Sequence, residues 1–358
     1  MDKRIAVLGA GAIGASIGAY LIRAGHDVTL IDQWAAHIEK IRSDGLKLTD
    51  LKGEFTVSAK ALHLSDVANL REQFDIVYLS VKSYDTLWST YLIEPFLKPT
   101  GFILPAQNSL NDEAVASVVG FNRTVGCVPS ISVGVYEPGH VIRTDPMNTH
   151  NFSTGELSGV ITPRALEIAD ALKVIGHSEV TTNIWGARWA KMVINCMMNT
   201  LAGLIGPTAT PLNDEQQDTA NLIRAVTGGE SVQVAMALGV SVEPIWNIPA
   251  QEFAEATTGD SVRTLKEKIV VALGQIRPTP EQVKKLGVPG RPSLLQDVIK
   301  GRHTEVDYLN GLVVKKGEEL GVPTPMNQAI TNLMKKLEAG EVKPDPSNLE
   351  RLKSCLII

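Results

Sequence analysis

The chain has 358 residues, of which 44% are hydrophobic and 20% charged, with a formal net charge of -5. That is more sequence than one core usually organises, so two domains are expected. The acidic balance and the lack of a long Lys/Arg block exclude a nucleic-acid footprint and leave small molecules as the expected partners.

The first apolar run, RIAVLG at residues 4–9, reads as a strand buried on both faces. GAGAIG follows at once, so that Gly9, Gly11 and Gly14 form G-x-G-x-x-G. Small and apolar residues at helical spacing come next, closed by Gly25, and a second run, DVTLID, spans 27–32. Strand, glycine turn, helix and strand within about thirty residues are the dinucleotide-binding signature. Gly9 permits the tight turn, Gly11 lets a pyrophosphate approach the backbone, and Gly14 lets the helix pack closely on the sheet. This pattern also explains the glycine-rich start better than a signal peptide does. The cofactor contacts are expected from Gly9, Gly11, Ala12, Ile13 and Gly14.

Asp32 ends the second strand, where a carboxylate accepts hydrogen bonds from the ribose hydroxyls of NAD and repels the 2′-phosphate of NADP. Gln33 and Trp34 follow it, and the next arginine, Arg42, is ten residues away. NAD(H) is therefore favoured, with NADP(H) as the alternative. Further strands are expected within 74–86, running into a turn that carries Lys82, and within 101–112, ending at Gln107 and Asn108. In doubly wound sheets ligand contacts collect at such strand ends, which places Lys82 and Asn108 beside the nicotinamide half of the cofactor. The stretch from Arg123 to about Thr181 reads as mixed strands and turns with an amphipathic helix at 163–176.

From Asn183 the pattern becomes helical through residue 275. Its centrepiece is RWAKMVINCMMNTLAGL, residues 188–204, an apolar helix that carries Lys191, Asn195 and Asn199 at successive spacings of four. Positions four apart differ by about 40° around a helix, so the three share one side. Residues 276–292 hold four prolines and read as a loop. Two helices are expected in 293–321, the first capped by Ser293 and the second ended by Gly321. A last helix starts near Pro323 and Pro325, and a polar tail begins at Glu341.

The GAGAIG turn, the QN after a later strand, the K-x-x-x-N-x-x-x-N helix and the run SLLQDV…TEVDYLNG resemble the ketopantoate reductase (2-dehydropantoate 2-reductase) family over nearly the whole chain. The resemblance implies an α/β fold: an N-terminal doubly wound Rossmann-type domain (1–182) followed by an all-helical C-terminal domain (183–358), with the active site in the cleft between them. It implies an oxidoreductase moving hydride between a nicotinamide and a small 2-keto or 2-hydroxy acid. Lys191 corresponds to the catalytic lysine that protonates the ketone oxygen, and Glu305 to the glutamate that meets the lysine and the substrate. Asn195 and Asn199 match the asparagines that position lysine and substrate. Ser293 matches the serine that binds the substrate carboxylate, and Asn108 the asparagine between cofactor and substrate. The chemistry needs these types, because hydride arrival builds negative charge on oxygen, which an oriented ammonium stabilises and protonates.

Three departures bear on the substrate. Ser109 stands where the family usually has Gly after QN. Asp32 replaces a basic or small polar residue found in many members that use NADPH. The loop around 258–292 and the C-terminal tail are longer than expected. An NAD-dependent D-2-hydroxy acid dehydrogenase acting on a bulkier substrate is accordingly the first alternative, and a non-catalytic dinucleotide-binding sensor the second. A structural interhelical pair between Lys191 and Glu305 is the plain competitor to their catalytic reading.

Cys127, Cys196 and Cys355 are far apart and odd in number, with no Cys/His spacing for zinc. Free thiols in a reducing, cytoplasmic setting and no metal are expected. No uncharged window approaches the roughly 18–20 apolar residues of a membrane span. The final CLII fits a loose prenylation box without a polybasic run before it, so a packed apolar end is preferred. A homodimer through the helical domain is admitted, although no stripe of residues demands one.

Overall fold

The computed structural model describes residues 3–145, 150–207, 211–276 and 279–356. The chain divides into two compact units, Met1–Ile184 with Pro278–Gly290, and Trp185–Arg277 with Arg291–Ile358.

The first unit begins with β1 (Arg4–Leu8), α1 (Ala12–Arg23), β2 (Asp27–Asp32), α2 (Ala35–Asp44), β3 (Leu46–Asp50), β4 (Gly53–Val57) and β5 (Lys60–His63). It continues with β6 (Phe74–Leu79), α3 (Thr86–Ile93), β7 (Leu97–Pro105), α4 (Asp112–Val119) and β8 (Val125–Pro129). β9 (Val133–Glu137), β10 (His140–Arg143), β11 (His150–Glu156), α5 (Pro163–Leu172) and β12 (His177–Val180) complete it. Five parallel strands form the main sheet in the order β5-β2-β1-β6-β7. The central strands are buried along their length, as their unbroken apolar sequences require, since β1 is flanked by strands on both edges and covered on both faces. The chain leaves β1 toward β2 and returns on its other side at β6, so the order reverses beside β1, where open sheets of this kind place ligands.

The mixed region after Arg123 resolves into two further sheets, β4-β3-β10-β9 and β12-β11-β8. α1 packs against β2 and also against β3, β9 and β10, which explains why this helix is apolar nearly all round rather than on one stripe. The hairpin of β3 and β4 and the short β5 have no counterpart in the sequence reading. They are four or five residues long and only half-buried, so they lack the long apolar run that marked β1 and β6.

The second unit is helical: α6 (Ile184–Ile205), α7 (Asp214–Ala237), α8 (Ala250–Ala254) and α9 (Gly259–Ile276) come first. α10 (Pro280–Leu286) lies with the first unit. α11 (Ser293–Ile299), α12 (Asn310–Leu320), α13 (Pro325–Glu338) and α14 (Asn348–Leu352) follow. Val193 and Met197 of α6 join Ala225 and Val232 of α7, Phe253 of α8, and Leu265 and Ile269 of α9 in one core. Side chains of that size contribute about 1.5–3 kcal/mol each when fully buried.

Three expectations need correction. The proline-rich stretch 276–292 is not simply a loop. Thr279 and Gln282 form a reciprocal capping box, Pro280 takes the first turn, and Gly287 closes α10 with φ +70°. Ser293 does not cap α11: Pro292 precedes the helix as its cap and Ser293 is the first helical residue, its hydroxyl turned to Asn199. The tail is not merely polar, since Leu349 and Leu352 are buried and Asn348 donates to Leu204 O at 3.0 Å, tying off the last turn of α6. Gly321 does end α12, with φ +70°. Arg277 and Pro278 of the long loop, and Ile357 and Ile358 of the CLII end, lie outside the described residues.

Candidate active site

In the first unit the sequence-expected cofactor residues follow four neighbouring parallel strands: Gly9 after β1, Asp32 at the end of β2, Lys82 after β6 and Asn108 after β7. Gly9 sits at φ +94°, and a Cβ there would fall 2.6 Å from Val81 N and 2.7 Å from Ser80 C. A Cβ on Gly14 would lie 2.1 Å from Gly9 O and 2.8 Å from a Val7 methyl. Both glycines are therefore required by the fold itself. Gly11 differs, because a Cβ on it would meet no protein atom within 4 Å. Its freedom serves nothing in the protein, and it stands at the start of α1, whose N-cap has no side-chain hydrogen bond and whose first turn holds no acidic residue. Free N–H groups, a positive dipole end and open space beside Gly11 are what a pyrophosphate needs. Ala12 and Ile13 open the first turn of that helix.

Asp32 is half-buried, and its Oδ1 accepts the Trp34 backbone N–H at 2.8 Å. That bond fixes the carboxylate at the strand end and leaves Oδ2 with no protein hydrogen bond among the described residues. Arg42, the nearest arginine in sequence after Asp32, has a partner on each of its three guanidinium nitrogens: Ala61 O at 2.8 Å, Glu39 at 2.7 Å and Asp66 at 2.6 Å. His37 is buried, and its Nδ1 accepts the Gly139 N–H at 2.9 Å. Burial holds its imidazole below the usual histidine range, so it is neutral at pH 7 despite the pull of Asp32. The beginning of α2 thus supplies no cation for a ribose phosphate.

Lys82 is half-buried and caps the short 3₁₀ turn Ser83–Asp85. The loop that carries Asn108 is braced from both sides. Gln107 donates to Val81 O and to Thr86 Oγ1, each at 2.8 Å, and Asn111 donates to Asn108 O at 2.8 Å and to Ser83 Oγ at 3.1 Å. Ser109, the residue that departs from the family glycine, holds φ +68° and is buried. A left-handed backbone at a residue with a Cβ is a strain of about 1–2 kcal/mol. Gln107 and Asn111 were not named as site residues from sequence, although the amide-rich QNSLN after an apolar strand was the available signal.

In the second unit α6 presents Lys191, Asn195 and Asn199 one turn apart, while Met192, Val193, Cys196, Met197, Leu201 and Leu204 are buried in the core. Asn199 Nδ2 donates to Asn195 Oδ1 at 3.1 Å and to Ser293 Oγ at 3.0 Å. The structure therefore brings Asn195, Asn199 and Ser293 together although 94 residues separate the last two. Lys191 is half-buried one turn before Asn195, and Glu305 is 3% exposed at the start of the 3₁₀ turn Val306–Tyr308. An amine and two amides thus lie along one side of α6, and the hydroxyl of Ser293 at the start of α11 is bonded to them, a set of groups able to donate hydrogen bonds and a proton. Among the described residues, no group of three or more His, Cys, Asp or Glu could hold a metal ion, and no helix is long and apolar enough to cross a membrane.

A parallel sheet with a glycine turn at its switch point, joined to a helical unit, defines a two-domain protein of the dinucleotide-binding oxidoreductase class. The family models "Ketopantoate reductase PanE/ApbA" and "Ketopantoate reductase PanE/ApbA C terminal" match residues 5–156 and 183–338, and the chain belongs to the ketopantoate reductase family. Among its relatives is the 2-dehydropantoate 2-reductase of Archaeoglobus fulgidus, 26% identical over 342 residues, covering 94% of this chain and 99% of the relative. The crystal structure of 2-dehydropantoate 2-reductase from Geobacter metallireducens matches with a TM-score of 0.72 at 25% identity, covering 93% of this chain and 99% of that one. A D-mandelate dehydrogenase solved with NADH and anilino(oxo)acetate shares the fold with a TM-score of 0.72 at 22% identity, covering 94% and 99%.

Proposed function

We propose that this chain reduces a small 2-keto acid, with ketopantoate to pantoate as the first candidate, and that Lys191 donates the proton to the nascent alkoxide. The observation that carries the reading is the linked set Asn195–Asn199–Ser293, in which α6, the helix of Lys191, is bonded to the start of α11. A bound nicotinamide supplies the hydride. Gly11 and the N-terminus of α1 hold its pyrophosphate, and Asp32 takes the adenosine ribose hydroxyls through the oxygen that Trp34 leaves open. Lys82 and Asn108 border the nicotinamide.

Asn199 uses both its N–H donors to hold Asn195 and Ser293, and through them it positions the Asn195 amide and the Ser293 hydroxyl to bind the substrate carboxylate and fix the carbonyl relative to Lys191. Lys191 stabilises charge as it builds on the carbonyl oxygen, then gives up its proton there. Glu305 orients the ammonium. Asp32, with Arg42 already engaged, supports NADH over NADPH. That preference favours a second reading, an NAD-linked D-2-hydroxy acid dehydrogenase for a bulkier substrate, since the D-mandelate dehydrogenase of the same fold was solved with NADH.

The test follows loss or gain of reduced nicotinamide by absorbance with ketopantoate and a set of aliphatic and aromatic 2-keto and 2-hydroxy acids. Lys191→Ala is expected to lower kcat by roughly 10²–10⁴-fold while the Kd for NADH changes less than about twofold. Parallel loss of binding and turnover would make Lys191 a structural residue instead. Nucleotide binding with no turnover of any acid in the set would favour a non-catalytic sensor.

A further inference from the structure

We infer that Asn310, in the DYLNG stretch, is a positioning residue that sets the register of the Lys191 helix against the segment bearing Glu305. This rests on the catalytic reading of Lys191 above. The residues following Asn195 and Asn199 are Cys196 and Thr200, which are buried. Asn310 Oδ1 accepts from Thr200 Oγ1 at 2.6 Å, and Asn310 Nδ2 donates to Cys196 O at 3.3 Å. One amide thus holds two successive turns of α6. Asn310 itself opens α12 and follows Glu305 by a single 3₁₀ turn, in which Tyr308 N–H donates to Glu305 O at 3.0 Å.

The direction of every bond in this chain is set from its far end. Glu230 of α7 accepts the backbone N–H groups of Met326 and Asn327 at 2.8 and 2.9 Å and Asn327 Nδ2 at 2.7 Å, supplying from another helix the cap that Thr324 does not give α13. With its Nδ2 committed there and to Thr227 O, Asn327 turns its Oδ1 to Asn310 Nδ2 at 2.9 Å. Asn310 Oδ1 is left facing Thr200, whose hydroxyl must donate. Thr200, Asn310 and Asn327 are 0% exposed, so a broken link leaves a polar group buried without a partner. A slip of α6 by one residue rotates its side chains by about 100° and moves them about 1.5 Å, enough to take an amine out of reach of a carbonyl oxygen.

The test compares Thr200→Val, which keeps the shape and removes the donor, with Thr200→Ser, which keeps the donor. Each is assayed for kcat per folded molecule, NADH affinity and the pH profile of kcat. Thr200→Val is expected to lose roughly 10–100-fold in kcat at unchanged NADH affinity and to shift the alkaline limb of the profile, while Thr200→Ser stays within about threefold of the parent in kcat. Should Thr200→Val not fold, Thr200→Ala carries the same test, because it too removes the donor to Asn310 Oδ1. A kcat per folded molecule equal to the parent, with the alkaline limb unmoved, overturns the inference while leaving the catalytic reading intact. A parent protein that turns over no 2-keto acid sinks that reading, and this inference with it.

Discussion

At the scale of single residues, the proposed choice of NADH rests on a few side chains at the end of β2. Asp32 is pinned by Trp34 N–H, Arg42 is consumed by Glu39, Asp66 and Ala61 O, and His37 is buried and neutral. A carboxylate accepting ribose hydroxyls gains charge-assisted bonds of about 1.5–3 kcal/mol, and the same charge repels a phosphate. Replacing Asp32 by Ser together with Gln33 by Arg is expected to move the ratio of kcat/KM for NADPH over NADH upward by about 10–100-fold or more. Titration of both cofactors checks it; a ratio that does not move means the ribose is held elsewhere. The place of Asp32 at the end of β2 was readable because glycine turn, strand and acidic end follow one another in a fixed order. Ser109 was readable as a departure but not as a strained φ, and Ser293 was misread as a cap because serine before an apolar run usually is one. Asn310 lay in the TEVDYLNG run without a role, and Asn327 and Glu230 carried no local signal: an asparagine at a helix start reads as a cap, and only the packing of α6, α7, α12 and α13 reveals that these side chains bond to one another.

At the scale of elements, what was legible was whatever local chemistry decides. β1, β2 and β6 are apolar runs of five or six residues, and α6 is an apolar helix with one polar edge, so sequence pattern and burial agree. The strands β3, β4, β11 and β12 depend on partners distant in sequence, β3 for instance pairing in parallel with β10, and no local period announces them. α10 lies between these cases. Four prolines suggested a loop, yet Thr279-Pro280-x-Gln282 is a start signal and Gly287 a stop signal, which together outweigh the short length. Lys285 Nζ donates to Leu51 O, fastening α10 to the turn between β3 and β4. Thr279→Ala removes the acceptor for Gln282 N–H and should weaken α10 by about 1 kcal/mol. Trypsin cleavage after Lys284 and Lys285 should then quicken by roughly fivefold under native conditions, while cleavage elsewhere keeps its rate. Unchanged cleavage at those two sites would show that the fastening, and not the cap, holds the helix.

At the scale of the molecule, burial shifts different kinds of titratable group in the two units. In the first unit His26, His37 and His140 all lie below the ordinary histidine value of 6.5, each chiefly because burial disfavours the imidazolium. Between that value and their lower native ones, the unfolded chain binds protons that the native unit refuses. Their stabilising effect is complete above about 6.5 and is lost as pH falls. The lowered carboxylates Asp66, Asp75 and Glu156 act the same way, but only below their ordinary range near 4. In the second unit burial raises Glu230 above its ordinary 4.5, so there the native state binds the proton more readily and stability is lost as pH rises. Each unit also contains its own reporter, since Cys127 of β8 and Cys196 of α6 are buried thiols outside any disulfide. With a dipyridyl disulfide, which reacts with thiols even in acid, labelling along a urea series can be followed at pH 7.5 and 5.5 and assigned by peptide mapping. On acidification the urea midpoint for Cys127 is expected to fall, while that for Cys196 holds or rises. His37→Gln keeps an acceptor for Gly139 N–H without the titration, and should shrink the fall at Cys127. If both cysteines move down together and His37→Gln changes neither, the histidines do not govern the response, and the two units unfold as one.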